Sequence, residues 1–239
     1  MKKHVALFSS VLMMSTTLLG AGSVFAASQD ITATPGNTST NVTATLELPD
    51  NGGTNPTPPN PEPNPEPDPE NPGNKPNNPN KAFGVAYQPN IFSIESTKLN
   101  EAGEQVIPIK MPKNSGTFNV GVKDKTRGTK GWTLKAQLTG NIASQPGVSI
   151  ETKNGSGEVK VNNNGNLEAL TDQQVVGARN VSISGTEALI MTGQEGKVHN
   201  DVYDYDLGNV SLKIADAKKV QAGTHTGSVN WNLSQTPGN

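Results

Sequence analysis

The sequence contains no cysteine and few aromatic residues: two tryptophans, three tyrosines and five phenylalanines among 239 positions. The absence of cysteine excludes disulfides and thiolate metal sites, so a folded domain must be held together by burial alone. Arginine is also scarce, with only Arg127 and Arg179, and the net charge is −2. Since no basic patch is present, we expect no nucleic-acid partner.

Signatures of catalysis and metal binding are missing as well. The chain has no G-x-S-x-G nucleophile elbow, no pair of carboxylates stands out as in glycosidases, and its few histidines are not at metal-ligand spacing. Asp201, Asp204 and Asp206 loosely resemble a calcium loop, but Ala215 stands where that loop requires glutamate. We interpret these aspartates as a solvated strand face, and we predict no enzyme, no metal and no cofactor.

Long apolar runs are confined to the start of the chain. Two lysines precede an apolar stretch at about 5–19, and small residues then lead to an A-x-A-like site ending at Ala26. The stretch is shorter than the ~20 residues that span a bilayer. We therefore predict a signal peptide at 1–26, secretion of the chain, and a flexible N-terminal segment at 27–40.

Proline, in contrast, is concentrated in one tract, residues 49–81, which holds twelve of the 18 prolines. The tract also carries five acidic residues against two lysines, so its charge is −3. Such a composition has almost nothing apolar to bury and few backbone donors. It therefore predicts an extended polyproline II chain with flexible patches.

An alternating segment precedes this tract. Within residues 41–48, Val42, Ala44, Leu46 and Leu48 fall on one face, which is the pattern of a half-buried strand. Because a lone strand is not stable, we predict that this strand pairs with the sheets that follow. The tract is then a long surface loop inserted after the first strand, and the alternative is a disordered leader followed by a linker.

The rest of the chain is rich in short strand patterns separated by Gly, Asn and Pro. Asn154-Gly155 lies between two of these patterns and predicts a hairpin turn, and 166–179 is long enough for a short helix. The absence of a sustained helical period favours an all-β fold, an antiparallel β-sandwich of Ig-like or Greek-key type over 41–239. The predicted strands lie near 84–94, 104–111, 117–123, 131–139, 147–152, 157–161, 180–184, 187–192, 203–214 and 225–234.

Both tryptophans of the chain lie in the same tripeptide, Trp132-x-Leu134 and Trp231-x-Leu233. Residues at i and i+2 share one face of a strand, so two strands each present an aromatic and an aliphatic side chain together. Two interpretations stay open: these residues are core, or they form exposed platforms that stack on a glycan or a partner. The alternation continues through Leu138 and favours the core for the first motif.

The segments around the two motifs resemble the WxL-domain family of Gram-positive cell-surface proteins. Residues 124–136, DKTRGTKGWTLKA, are similar to the family's run of Asp, Arg and Gly into the first motif. Residues 223–237, GTHTGSVNWNLSQTP, are similar to its closing segment, and Tyr87–Phe92 resembles the stretch after the Pro-rich insertion. The resemblance covers roughly 31–239.

This resemblance implies non-covalent attachment to the cell wall through peptidoglycan. Consistent with it, the chain lacks the Leu-Pro-x-Thr-Gly motif of covalently sorted wall proteins. The candidate binding residues are those of the motifs, Trp132, Leu134, Trp231 and Leu233. The residues that would support them are Asp124, Arg127, Gly131 and Pro237.

A second interpretation makes the chain an interaction or adhesion subunit of a surface complex. In that case it binds other surface proteins of the same system, host matrix proteins or polysaccharide, and a partner supplies the attachment to the wall. Exposed edge strands of a β-fold are able to pair with another chain. Both interpretations place the protein at the cell surface.

Overall fold

The computed structural model describes residues 40–48, 52–63, 66–114 and 116–235. These parts form an all-β structure, which includes a short 3-10 helix at Ala217–Lys219. Its strands are β1 (Asn74–Pro76), β2 (Phe83–Pro89), β3 (Gln105–Pro108), β4 (Asn119–Asp124), β5 (Trp132–Gly140), β6 (Val148–Lys153), β7 (Val159–Asn163), β8 (Asn166–Ala169), β9 (Val175–Gly177), β10 (Ser182–Ile183), β11 (Ala188–Gly193), β12 (Asp201–Asp206), β13 (Asn209–Ile214) and β14 (Gly227–Gln235).

The strands form three antiparallel sheets. A six-stranded sheet has the order β1-β2-β4-β12-β7-β8, and two four-stranded sheets have the orders β10-β6-β13-β3 and β14-β5-β11-β9. One apolar core contains side chains from all three, for example Val120, Ile150 and Trp132. The predicted all-β, antiparallel sandwich architecture is confirmed. Among the described residues, no helix is long and apolar enough to cross a membrane.

The chain divides into two compact units, residues 1–45 and 46–239. The described residues of the first unit, 40–45, form no strand and are exposed, and the same is true of 46–48. The strand predicted at 41–48 is therefore not formed, although its alternation is clear. Alternation makes a strand only where a neighbour supplies its hydrogen bonds. The predicted signal peptide, 1–26, and most of the predicted flexible segment 27–40 lie outside the described residues.

Three local predictions are wrong. Residues 166–179 contain β8 and β9 in place of a helix. Asn154-Gly155 is not a hairpin turn, because β6 and β7 on either side of it belong to different sheets. The predicted strand 203–214 is divided into β12 and β13 by Gly208, whose φ of 65° breaks the extended backbone.

The Pro-rich tract departs furthest from its prediction. It supplies β1, which pairs with β2 at one edge of the six-stranded sheet. Pro58, Pro59 and Pro72 are buried, so the tract packs onto the folded unit. We call residues 52–63 the strap, because they lie against the outer face of this sheet. The tract's role as an inserted loop stays a prediction.

Candidate functional site: two Trp-x-Leu strands and a covered polar face

The first Trp-x-Leu motif lies in the middle of its sheet. β5 has β14 on one side and β11 on the other. Trp132, Leu134 and Ala136 have no exposed surface, and Leu138 is only 4% exposed. The core interpretation therefore holds for this motif, since neither Trp132 nor Leu134 offers any surface to a ligand.

Trp132 is the centre of an aromatic cluster. The ring centroids of Phe83, His199 and Tyr203 lie 6.4, 6.2 and 6.1 Å from its own. Gly193 lies directly against the indole, and a Cβ there would come within 2.3 Å of the Trp132 Nε1 atom. That nitrogen is buried without an acceptor among the described residues. Ring packing therefore holds Trp132 in place, at the cost of an unpaired donor.

The second motif lies beside the first. In the β14–β5 ladder, Leu233 is opposite Leu134 and Trp231 is opposite Ala136. Opposite residues in an antiparallel pair point to the same face, so all of these side chains face the core. Trp231 and Leu233 are only half-buried, since β14 is the last strand of its sheet. The two motifs are thus one apolar patch, buried at β5 and partly open at β14.

The segment before the first motif forms a tight turn. Asp124 accepts hydrogen bonds from the backbone N–H and the hydroxyl of Thr126, at 3.2 and 2.6 Å, and lies 3.7 Å from the buried ring of His199. Arg127 has a left-handed backbone, with φ of 52°, and its guanidinium reaches Asn200 at 3.4 Å. Asp124 therefore supports the turn before the first motif through its contacts with Thr126.

The remaining predicted support residues are Gly131 and Pro237. A Cβ on Gly131 would lie 3.1 Å from the carbonyl oxygen of Gly193. Glycine therefore allows the close approach of β5 and β11 at their ends. Pro237 lies outside the described residues.

The other face of the six-stranded sheet carries a buried polar cluster, which we call the polar face: Tyr87, Asn119, Lys123, Asn162 and Asp204. The Tyr87 hydroxyl and the Asn119 amide each donate to the Asp204 carboxylate at 2.8 Å. Asn162 donates to the Tyr87 hydroxyl at 3.0 Å. Burial raises the pKa of Asp204 to about 6, and the hydrogen bonds from Tyr87 and Asn119 oppose this rise with a smaller effect. The interpretation of a solvated acidic face is wrong for Asp204, which is 1% exposed.

The strap covers the polar face. The Lys123 ammonium donates to the Gly53 carbonyl and to the Asn55 side chain, both at 3.0 Å, and burial lowers its pKa. The Asn162 amide donates to the Thr57 carbonyl at 2.9 Å. The carbonyls of the strap thus accept hydrogen bonds from buried donors of the sheet. A proline-rich chain has carbonyl acceptors at every residue, which suits it to this role.

Asn74 of β1 fixes the strap to the sheet. Its amide donates to the Pro59 carbonyl at 2.6 Å, and its side-chain oxygen accepts from the Asn119 backbone N–H at 2.9 Å. Asn74 has no exposed surface. Nothing in the composition of the tract marks this asparagine among its many neighbours of the same type. Sequence reasoning therefore missed it.

A pocket of about 200 Å³ remains where the strap leaves the polar face uncovered. It lies between the β6–β7 connection and β12. Ammonium groups and carboxylates both line it, from Lys153, Glu158, Lys160, Asp204 and Asp206. No group of three or more potential metal ligands is found in the described part of the chain. The pocket therefore offers hydrogen bonds and charges of both signs to a polar ligand. Sequence reasoning missed this pocket, and the one local trace of it is the alternation of Asp with Tyr in β12.

The comparison with protein families is decisive for the chain as a whole. The WxL domain, described as a surface cell wall-binding domain, matches residues 33–237. The chain belongs to the WxL domain family. The match includes both motifs, the strap and the exposed segment 40–48. The family places this protein at the cell surface as a wall-binding domain, and the resemblance seen in the sequence is confirmed. No curated protein and no solved structure matches the chain.

Proposed function

We propose that this WxL domain is secreted and attaches non-covalently to peptidoglycan of the Gram-positive cell wall. The observation that carries the proposal is the extent of the family match, 33–237, because wall binding then belongs to the domain that makes up nearly all of the described structure. The two Trp-x-Leu motifs lie side by side in this domain and act by holding its shape.

We assign the wall contact to the pocket beside β12. Peptidoglycan stem peptides carry free carboxylates and amino groups, and its glycan strands carry hydroxyls. The ammonium groups of Lys153 and Lys160 complement the carboxylates of the stem peptides. The carboxylates of Asp206 and Glu158 complement the amino groups of the stem peptides. A ligand there would be held by several polar contacts on strands that the core keeps rigid.

The experiment is co-sedimentation of the purified mature protein with protein-free Gram-positive walls. We expect the wild type in the pellet, and we expect the double variant Lys153→Ala/Lys160→Ala to lose most of its binding. Lys130→Ala/Lys197→Ala is the matched control, since it removes the same charge at exposed positions near the opposite end of β12. A wild type that stays in the supernatant contradicts the function. Equal binding by the two double variants contradicts only the location.

The same assay separates the roles of the motif residues. Trp231 and Leu233 keep some exposed surface, whereas Trp132 and Leu134 keep none. If the motifs act through the fold, Trp231→Ala and Leu233→Ala remain in the pellet as long as they remain folded. Loss of binding by these folded variants would move the contact site to β14.

A further inference from the structure

β14 is an edge strand without the usual protection. It is nine residues long, and it contains no charged residue and no proline. Its register with β5 is continuous from Gly227 to Gln235, without a bulge. Natural sheets commonly protect their edges with charges, prolines, bulges or short strands. β14 uses none of these devices.

The other edge strands of the described sheets differ from it. Their lengths are two to four residues, and β1 and β3 each end in a proline. Short or proline-containing edges offer few backbone groups to another chain. Among the described edges, β14 alone presents a long, uninterrupted one.

Among the described residues, no strand pairs with the outer side of β14, and the backbone groups that face this side can be assigned from its neighbour. The N–H of Leu138 donates to the Ser184 carbonyl, so the backbone groups of Leu138 face away from β14. Since these groups alternate in direction along a strand, Val229, which is opposite Leu138, directs its N–H and C=O to the outer edge. The same holds for Trp231 and Leu233. Three donors and three acceptors are thus aligned there.

The sequence of β14 is nearly the same in both directions. Residues 228–234 have the sequence Ser-Val-Asn-Trp-Asn-Leu-Ser, with Trp231 at the centre. If two copies pair antiparallel about Trp231, Asn230 lies opposite Asn232, Val229 opposite Leu233, and Ser228 opposite Ser234. Every polar residue then meets its like on the solvent face, and every apolar residue meets an apolar one on the core face.

We propose that β14 pairs antiparallel with β14 of a second copy, with the two-fold axis at Trp231. The N–H and C=O of Trp231 then bond those of the partner copy. The half-buried side chains of Val229, Trp231 and Leu233 become covered. Two four-stranded sheets join into one continuous sheet across the pair. The interface is isologous, as a two-fold dimer requires, and a cell-surface domain gains two wall-binding faces.

Charge pairs provide the first test, by analytical ultracentrifugation of the mature protein. Asn230 and Asn232 are exposed, so substitution should leave the monomer folded, as circular dichroism would verify. In Asn230→Lys/Asn232→Lys, like charges lie opposite each other twice. In Asn230→Glu/Asn232→Lys, opposite charges do. We expect a wild-type dimer, and a dissociation constant for the first variant roughly tenfold or more above that of the second.

Cross-linking tests the register. The chain has no cysteine, so introduced thiols react only with each other. Asn230 of one copy lies opposite Asn232 of the other, in a position without backbone bonds, where cross-strand Cα atoms approach to about 4.5 Å. We expect disulfide dimers when Asn230→Cys and Asn232→Cys proteins are mixed and oxidised, and few from either protein alone.

Three outcomes overturn the proposal. The first is the mass of a single protomer at every protein concentration. This outcome contradicts pairing whether the outer edge of β14 is open or is covered by another part of the chain. The second is a dimer that the two charge variants affect equally. The third is cross-linking that is no stronger in the mixture than in either single protein.

Discussion

The two faces of the six-stranded sheet are both buried, but by different means. β12 contributes to each: Tyr203 and Tyr205 belong to the apolar core around Trp132, and Asp204 belongs to the polar face beneath the strap. On the inner face, burial is favourable in itself. On the outer face, burial is tolerated because donors and acceptors are paired. The stability of the inner face therefore depends on volume, and that of the outer face on hydrogen bonds and charge.

We expect the largest effect on stability from removal of the Trp132 ring at the centre of the aromatic cluster. We expect Trp132→Ala to lower the free energy of unfolding by about 3–5 kcal/mol, because it leaves a cavity among three other aromatic rings. Urea denaturation measures the change. Trp231→Ala is the control, and its half-buried side chain should cost at most about 2 kcal/mol. Similar losses in the two variants would contradict the distinction between core and edge.

The outer face should respond to pH. Burial raises the pKa of Asp204 from its ordinary value to about 6, so the folded state holds this proton more tightly than the unfolded chain does. The contribution of Asp204 is therefore fully present below pH 4 and is lost as the pH rises to about 6. Its size is about 2–3 kcal/mol. Asp204→Asn should remove this dependence in urea denaturation at a series of pH values. An identical pH profile in the variant would rule out Asp204 as its source.

The strap should depend on single hydrogen bonds. Asn74→Ala leaves the Pro59 carbonyl and the Asn119 N–H without a partner in a buried position. We expect a loss of about 1–3 kcal/mol in the free energy of unfolding. Asn80→Ala, at an exposed position of the same tract, should stay within about 0.5 kcal/mol of the wild type. Equal stability of the two variants would indicate that the strap is not held by Asn74.

The smallest perturbation uses the tryptophans as probes. In Trp231→Phe the remaining Trp132 has no exposed surface, so its emission should be blue-shifted and resistant to acrylamide. In Trp132→Phe the half-buried Trp231 should be quenched more readily. Dimerisation through β14 should protect Trp231 further at high protein concentration. Equal quenching of the two single-tryptophan proteins would argue against different burial of the motifs.

The inner face could be predicted from the sequence because it obeys strand alternation. Trp132, Leu134, Ala136 and Leu138 occupy every second position of β5, and the apolar side chains of β14 alternate in the same way. Such a pattern has one arrangement of low free energy, in which the apolar side of the strand is buried. The pairing of the two motifs could be expected for the same reason, although their separation of about one hundred residues could not fix their register.

The outer face could not be predicted, because its pattern has two solutions. A polar strand face usually meets water, and Asp204 gives no sign that a strap covers it. The strap itself has the composition of a disordered linker. Its order comes from Lys123 and Asn162, which are far away in sequence, and from Asn74 within the same tract. Pairing at such distances is a property of the folded sheet and leaves no local trace in the chain.

The alternation of β12 has a consequence for how the chain finds its fold. A shift of this strand by one residue would carry the Asp204 carboxylate into the aromatic cluster and the rings of Tyr203 and Tyr205 under the strap. Because side chains exchange faces at each step, both errors would occur at once. The inner face would contain a buried charge, and the amides of the polar face would lose their partners. Mispairing of β12 is thus penalised twice, and this strand sets the register for the sheet that carries both the core and the pocket.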